Sequence, residues 1–171
     1  MASTQSIKFS EIQKFKNGAL SGCFVSMHDS PVMCTIQDII APLGVCTFSE
    51  KQNIILNVED HHDVEDLLTV QAGAKEHPEL KGLEFNHIIK CTEKYGRQMK
   101  VNITPDTMFF DSHANPCSSN IFKQRCKVNI LVEINMIWIR GKQCGISVKC
   151  LQMKHIEDVK STKIPTKECL I

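Results

Sequence analysis

The sequence predicts a mainly β domain, a small antiparallel barrel carrying one or two helices. Three observations carry this reading. Residues 127–155 have the pattern of one long β-hairpin; short β-rich pieces separated by turn residues precede it; and a single stretch, from about residue 61 to Pro78, has helical spacing instead.

The hairpin has the clearest period. Val128, Ile130, Val132, Ile134, Met136 and Trp138 are apolar, while Asn129, Glu133 and Asn135 stand in the intervening set, interrupted by Leu131 and Ile137. A period of two is that of a half-buried strand. Arg140, Gly141, Lys142 and Gln143 supply turn chemistry, and a second run places Ile146, Val148 and Cys150 on one face against Ser147 and Lys149 on the other. Antiparallel pairing follows. After Cys150 the phase changes, with Leu151 and Met153 apolar and Gln152 and Lys154 polar. One extra residue must be absorbed near Cys150, a β-bulge of the kind that bends strands into a closed barrel.

The other elements follow in chain order. The segment to about residue 16 is polar, anchored by Ile7, Phe9, Ile12 and Phe15, and fits a strand or a docked arm. Residues 20–27, 32–36 and 45–48 are β-rich, punctuated by Asp29-Ser30-Pro31 and Ala41-Pro42-Leu43-Gly44, and residues 52–58 form another short strand. Asp60 is placed to cap a helix starting at His61-His62, with Asp63, Glu65 and Asp66 favourable in its first turn. Val64, Leu67, Leu68, Gln71 and Ala72 have helical spacing, and the helix should end before Pro78. The adjacent histidines cannot both face one metal from a regular helix and are expected as exposed cap residues. Residues 83–91 fit a strand or a short helix. Residues 98–103 alternate as a strand that Thr104-Pro105-Asp106 breaks; Met108-Phe109-Phe110 is an apolar knot, and 111–120 has loop composition.

At 171 residues, 42% apolar and 23% charged, the chain suits one domain with a sizeable core. That domain is expected over 1–171, with a flexible arm at 1–16 and a tail at 157–171. No apolar run approaches the length of about 20 residues that spans a bilayer, and no apolar leader opens the chain, so an intracellular protein is expected. Cys169 stands third from the end, outside the prenylation box. Nine cysteines, an odd count without a C-x-x-C pair, fit a reducing compartment better than a disulfide framework. His113, Cys117 and Cys126 are the best metal candidates, three soft ligands in need of a fourth. The competing reading makes Cys34, Cys46, Cys144 and Cys150 small buried hydrophobes, and no metal or other cofactor is expected.

Enzymatic signatures are missing: no Gly-rich phosphate loop, no G-x-S-x-G elbow, no H-E-x-x-H and no zinc-deaminase pattern. A cysteine–histidine pair from distant parts of the chain is the enzymatic alternative. The net charge of +1 conceals an uneven distribution. Residues 59–79 hold seven acids against the single base Lys75, whereas residues 90–154 hold eleven bases against four acids. Aromatics interleave with these bases: Tyr95 with Lys94 and Arg97, Phe122 with Lys123 and Arg125, Trp138 with Arg140. Cations that track phosphates beside rings that stack unpaired bases make a single-strand binding groove. The candidate residues are Lys94, Tyr95, Arg97, Lys100, Phe122, Lys123, Arg125, Lys127, Trp138, Arg140, Lys142, Lys149 and Lys154. Strict alternation puts Trp138 on the face of Ile134 and Met136, a core position, while its place at the strand end beside Arg140 suits a stacking platform. Phe109 and Phe110 are expected in the core, with one of them partly exposed. The acidic element would repel a polyanion, so it should lie away from the groove, solvated or in contact with a basic patch on another copy of the chain.

The segment KVNITPDTMFFD (100–111), followed after a polar loop by ILVEINMIWIRGKQCGISVKCLQMKH (130–155), resembles the carboxyl-terminal core of single-stranded DNA-binding proteins of large eukaryotic DNA viruses. Those are distantly similar to tailed-phage single-strand binding proteins of the OB fold. The positions that carry the resemblance are Pro105, Asp106, Phe110, Asp111, Ile137, Trp138, Gly145, Ile146, Leu151, Gln152 and Lys154. They cover about a third of the chain. The resemblance implies an OB-like β-barrel that coats single-stranded DNA without sequence preference and without chemistry, at host sites of viral DNA replication; single-stranded RNA is the alternative partner. The alternative from another class is a protein-interaction or scaffold domain on the same barrel.

Overall fold

The computed structural model describes residues 7–15, 20–59 and 61–159. Its strands are β1 (Ile7–Phe9), β2 (Gln13–Phe15), β3 (Leu20–Cys23), β4 (Val25–Met27), β5 (Ser30–Pro31), β6 (Met33–Ala41), β7 (Val45–Phe48), β8 (Lys51–Asn57), β9 (Glu84–Asn86), β10 (Ile89–Thr92), β11 (Gly96–Ile103), β12 (Met108–Phe110), β13 (Cys126–Arg140) and β14 (Gln143–Asp158). The helix α1 (Glu65–Lys75) lies between β8 and β9.

The hairpin predicted from the alternation is β13 and β14, joined by Gly141 and Lys142, where a φ of 59° favours glycine at the first turn position. On its other edge β13 pairs antiparallel with β6. The barrel closes through β6–β8 and β8–β11, both antiparallel, and through β11–β14, which is parallel. With β6, β8, β11, β13 and β14 as strands one to five, the ring order is 1-2-3-5-4-1, that of an OB barrel. The barrel is OB-like as expected, antiparallel around the ring except at this seam. Because β13 pairs outward with β6, β14 returns beside β11 in the same direction, and β9 and β12 also join β14 in parallel.

The hairpin register shifts at three places. Leu131 pairs with Gln152 and Val132 with Cys150, so Leu151 is the extra residue that the phase change near Cys150 demanded. A second shift leaves Ile156 unpaired, and a third, in β13, leaves Asn135 unpaired between Ile134 and Met136. The third inverts the phase. Val128, Ile130, Val132 and Ile134 point inward, but beyond Asn135 the buried residue is Ile137. Trp138 is only partly buried and faces outward, which corrects its placement with the core by strict alternation.

The barrel interior is aliphatic, with Ile36, Ile54, Leu56, Met99, Val101, Ile130, Ile137 and Met153 almost wholly excluded from solvent. Leu67, Val70 and Ala74 of α1 join this cluster. The helix begins at Glu65 with Val64 at its cap and no side-chain capping bond, later than the His61-His62 start expected; Asp60 lies outside the described residues. The Asp63 backbone carbonyl accepts from the Cys34 thiol, and its carboxylate accepts from the Gln37 amide, tying the helix entry to β6. His62 is exposed and His61 half-buried.

Residues 7–15, expected within a flexible arm, are paired: β1 with β4 and β2 with β3. Ile7 and Phe9 pack over Gly73 of α1. Residues 83–91, open between helix and strand, resolve into β9 and the start of β10. Met108-Phe109-Phe110 is a strand rather than a knot, and both phenylalanines are half-buried. The tail expected from residue 157 is in part strand, since Glu157 and Asp158 end β14; residues 160–171 lie outside the described residues.

The residues that carried the family resemblance brace this framework. Thr107 accepts a bond from the Thr104 amide and donates to the Cys150 carbonyl at 2.8 Å, fixing the Pro105-Asp106 turn to β14 beside its bulge. Asp111 accepts from the His113 and Asn115 amides, both at 2.9 Å, and these bonds hold its carboxyl below the ordinary carboxylate range. Among the described residues no helix is long and apolar enough to cross a membrane.

Candidate nucleic-acid interface

Strands β11 and β14 touch at one register pair, Asn102 with Lys149, where the Asn102 amide also bonds the Ser147 hydroxyl at 3.1 Å. Toward the hairpin tip they diverge. The gap is a groove of about 520 Å³, walled by β8, β11 and β10 on one side and by the tip of β13–β14 on the other, with residues 86–88 across one end. Trp138 lies in it. Its cross-strand neighbours are glycines on both sides, Gly22 of β3 and Gly145 of β14. A methyl group on Gly145 would stand 2.7 Å from the Trp138 Cζ2 atom, so the missing side chain is what allows the indole to lie against the strand.

Around the ring the lining is polar and cationic. Gln98, Lys100 and Asn102 project from alternate positions of β11, and Lys90 and Thr92 from β10. Ser147 and Gln143 face them from β14, and Ile55 and Ile146 add apolar surface. No carboxylate lines the groove among the described residues. A flat aromatic, two lysines and a row of uncharged hydrogen-bonding groups form a surface suited to a chain of phosphates and unstacked rings.

The structure divides the sequence-predicted residues into two groups. Lys100 and Trp138 line the groove. Lys149 stands at its closed end, 3.5 Å from Glu133, in a half-exposed pair that solvent weakens. Arg140 and Lys142 are exposed at the hairpin tip next to Gln143. Lys94 and Tyr95 occupy the turn between β10 and β11, with the Lys94 ammonium 4.9 Å from the Tyr95 ring centroid; the phenol raises the lysine above its ordinary value. Arg97 is half-buried in β11 near the same turn, and its carbonyl accepts from Val58.

The second group lies elsewhere. Lys127 and Lys154 sit toward the base of the hairpin, and Lys127 is roughly 35 Å along β13 from Trp138 at strand rise. Lys127 is paired with Glu157 at 3.0 Å. Lys123 and Arg125 are exposed in the turn leading into β13. Phe122 cannot serve as a stacking platform: it is 2% exposed, packed against the rings of Phe109 and His155. Its apolar neighbours outweigh the flanking bases that suggested a surface position. Lys154 borders a separate hollow of about 380 Å³ with Phe110, Leu131 and Gln152.

Sequence reasoning missed Lys90, Gln98, Asn102, Asn86, His87 and Gln143. The polar alternation of Gln98, Lys100 and Asn102 was visible and marks an outward strand face, but the pairing that brings β11 beside β14 is not local in the chain. Helix α1 stands behind one wall: Gln71 accepts from the Ile88 amide at 2.6 Å and donates to His87 Nδ1 at 3.2 Å. Its carboxylates Glu65 and Asp66 are exposed outside the groove.

The metal candidates do not converge. Cys126 is fully buried and His113 exposed, and no group of three metal-ligating residues clusters among the described residues. Burial pushes the thiols of Cys34 and Cys126 up to about 11 and that of Cys150 to about 12, so they behave as small apolar side chains.

The fold is similar to that of the single-stranded DNA-binding protein from bacteriophage Enc34, solved as a C-terminal truncation, with a TM-score of 0.57 at 12% identity over 90% of this chain and 97% of that one. The same phage protein in complex with ssDNA matches with a TM-score of 0.57 at 12% identity over the same shares of both chains. The single-stranded DNA-binding protein gp2.5 encoded by bacteriophage T7 matches with a TM-score of 0.51 at 10% identity, over 77% of this chain and 96% of that one. No protein-family model matches the chain, and no curated protein matches it by sequence. At such identities the likeness establishes a shared fold, in agreement with the OB-like barrel implied by the sequence resemblance.

Proposed function

We propose that this protein binds single-stranded DNA in the groove between β11 and β14 and coats it without performing chemistry, in viral DNA replication, recombination or repair. The carrying observation is the groove itself: an outward indole seated on a glycine, flanked by Lys90 and Lys100, with no carboxylate among the described residues that line it. Unpaired bases stack on Trp138, and the two lysines, continued at the mouths by Lys94, Arg140 and Lys142, follow the phosphates. The fold shared with phage single-strand binding proteins, one of them solved with ssDNA, supports the reading. The source is a large eukaryotic DNA virus, and the protein works in the host cytoplasm or nucleus where viral DNA is copied. Coating is cooperative, through contact of the acidic segment 59–79 with a basic patch on the neighbouring copy.

A mobility shift with labelled oligo-dT at two salt concentrations, with duplex as competitor, tests this. Log affinity should fall with log salt by about 0.7 per neutralised phosphate. Failure to bind at low salt, or equal affinity for duplex, refutes it and leaves a protein-interaction barrel as the reading.

A further inference from the structure

The polar groups in the groove are oriented. Asn86 turns its amide nitrogen to the Cys144 carbonyl at 3.4 Å, and Gln143 turns its own to a carboxylate oxygen of Glu84 at 3.3 Å. A carbonyl and a carboxylate only accept, so in both side chains the nitrogen is held by the protein, and the amide oxygen takes no hydrogen bond from the described residues. Asn102 stands beside them with its nitrogen on the Ser147 hydroxyl, a group that can also donate. All three residues line the groove that holds Trp138. The lysines there suit phosphate, and amide oxygens suit a different group: an N–H on the edge of a base.

We infer that the groove favours cytosine and adenine, whose amino groups stand at C4 and C6, over thymine and uracil. This rests on the single-strand reading above and deepens it. A base stacked on Trp138 is held by its face, which every base offers. Its edge then meets fixed acceptors. Cytosine and adenine present an amino group with two N–H donors at C4 or C6, where thymine and uracil present a carbonyl and keep one N–H donor, at N3 between two carbonyls, so two fixed amide oxygens gain one hydrogen bond more from the amino group. The bias is in composition and does not require a sequence motif.

Oligo-dC and oligo-dU of equal length differ on the base only at C4 and N3, which makes them the discriminating pair. Measured by fluorescence anisotropy at pH 8 and low salt, oligo-dU should bind about fivefold more weakly, the ratio that one net hydrogen bond gives. In the double variant Asn86→Ala, Gln143→Leu, shown by its melting curve to be folded, the ratio should fall to about one. Equal affinity for the two oligonucleotides in the wild type overturns the inference and leaves single-strand binding standing. A preference that survives in the double variant overturns the assignment to these amides. Binding of neither oligonucleotide refutes the single-strand reading and the inference with it.

Discussion

Replacing Trp138 by alanine separates the two roles a tryptophan at this position can have. A large aromatic removed from a sealed core costs about 3–5 kcal/mol. Trp138 is partly exposed, lies against the backbone at Gly145 and lines the groove. Half of the core value, about 2 kcal/mol, is therefore the expected loss of stability, readable as a shift of the urea midpoint. Binding should suffer more. A stacked base is worth about 1–3 kcal/mol, so affinity for oligo-dT should drop by roughly 5- to 150-fold in anisotropy titrations. Trp138 is the single tryptophan, so emission of the wild-type protein reports on this ring alone and should be quenched as the oligonucleotide saturates. Gly145→Ala supplies the control, since its methyl, 2.7 Å from Cζ2, pushes the ring off the strand without removing it. That variant should keep its emission and lose affinity. If Trp138→Ala destabilises the fold by the full core value while its folded fraction binds normally, or if saturating oligo-dT leaves wild-type emission unchanged, the outward assignment is wrong.

Phe122→Ala should behave in the opposite way, losing about 3–5 kcal/mol of stability with the groove's affinity retained in the folded fraction, as thermal melts and titrations would show. Lys90→Gln together with Lys100→Gln should flatten the slope of log affinity against log salt by about 1.4, whereas the same change at Lys123 and Arg125 should leave binding of a short oligonucleotide unaltered. Stability should decline in alkali. Cys34 and Cys126, raised to about 11, and Cys150, raised to about 12, stay protonated when folded, while the unfolded thiols ionise near 9.0. The folded state therefore binds more protons above that value, and stability fully present below pH 9 falls by up to about 4 kcal/mol per pH unit between pH 9 and 11. Equal urea midpoints at pH 8 and pH 10 would contradict this. Neutralising Glu65 and Asp66, exposed on α1, should reduce cooperativity on long single strands and spare affinity for a one-site oligonucleotide, as lattice-binding titrations would report.

The barrel's spine was legible because β13 and β14 are long, local to each other, and alternate for most of their length. The bulge at Leu151 could be read as well, since there the phase of a whole strand changes around a single residue. Asn135 was not legible. Met136 continues the alternation of Ile134, so the inversion shows only in Ile137, which looked like an interruption in the polar set. The same limit governs the site. Bases beside aromatics marked Arg140 and Trp138, but the identical pattern at Phe122 belongs to a ring packed between Phe109 and His155. Adjacency in the chain carries no information on which side of a wall a side chain falls. Asn86, Gln98 and Gln143 have no local signature, since they meet through β9–β14 and β11–β14 contacts made far apart in sequence. The Pro105 and Asp111 motifs that carried the family resemblance hold turns together, so the likeness reported scaffold more than surface.

Asn135 works as a frameshift within a strand. The residues before it and after it obey the same two-residue rule, read in opposite frames, so the hairpin tip can address the solvent face while its base fills the barrel. Drawing this one residue into the ladder would restore a single frame and turn Trp138 inward and Ile137 outward, whereas deleting it would remove the bulge and leave both where they are. The position of the aromatic is thus set by how many residues the ladder pairs between barrel and tip. Substitutions within the tip can change what it contacts and leave the barrel untouched, whereas one more paired residue there rewrites both.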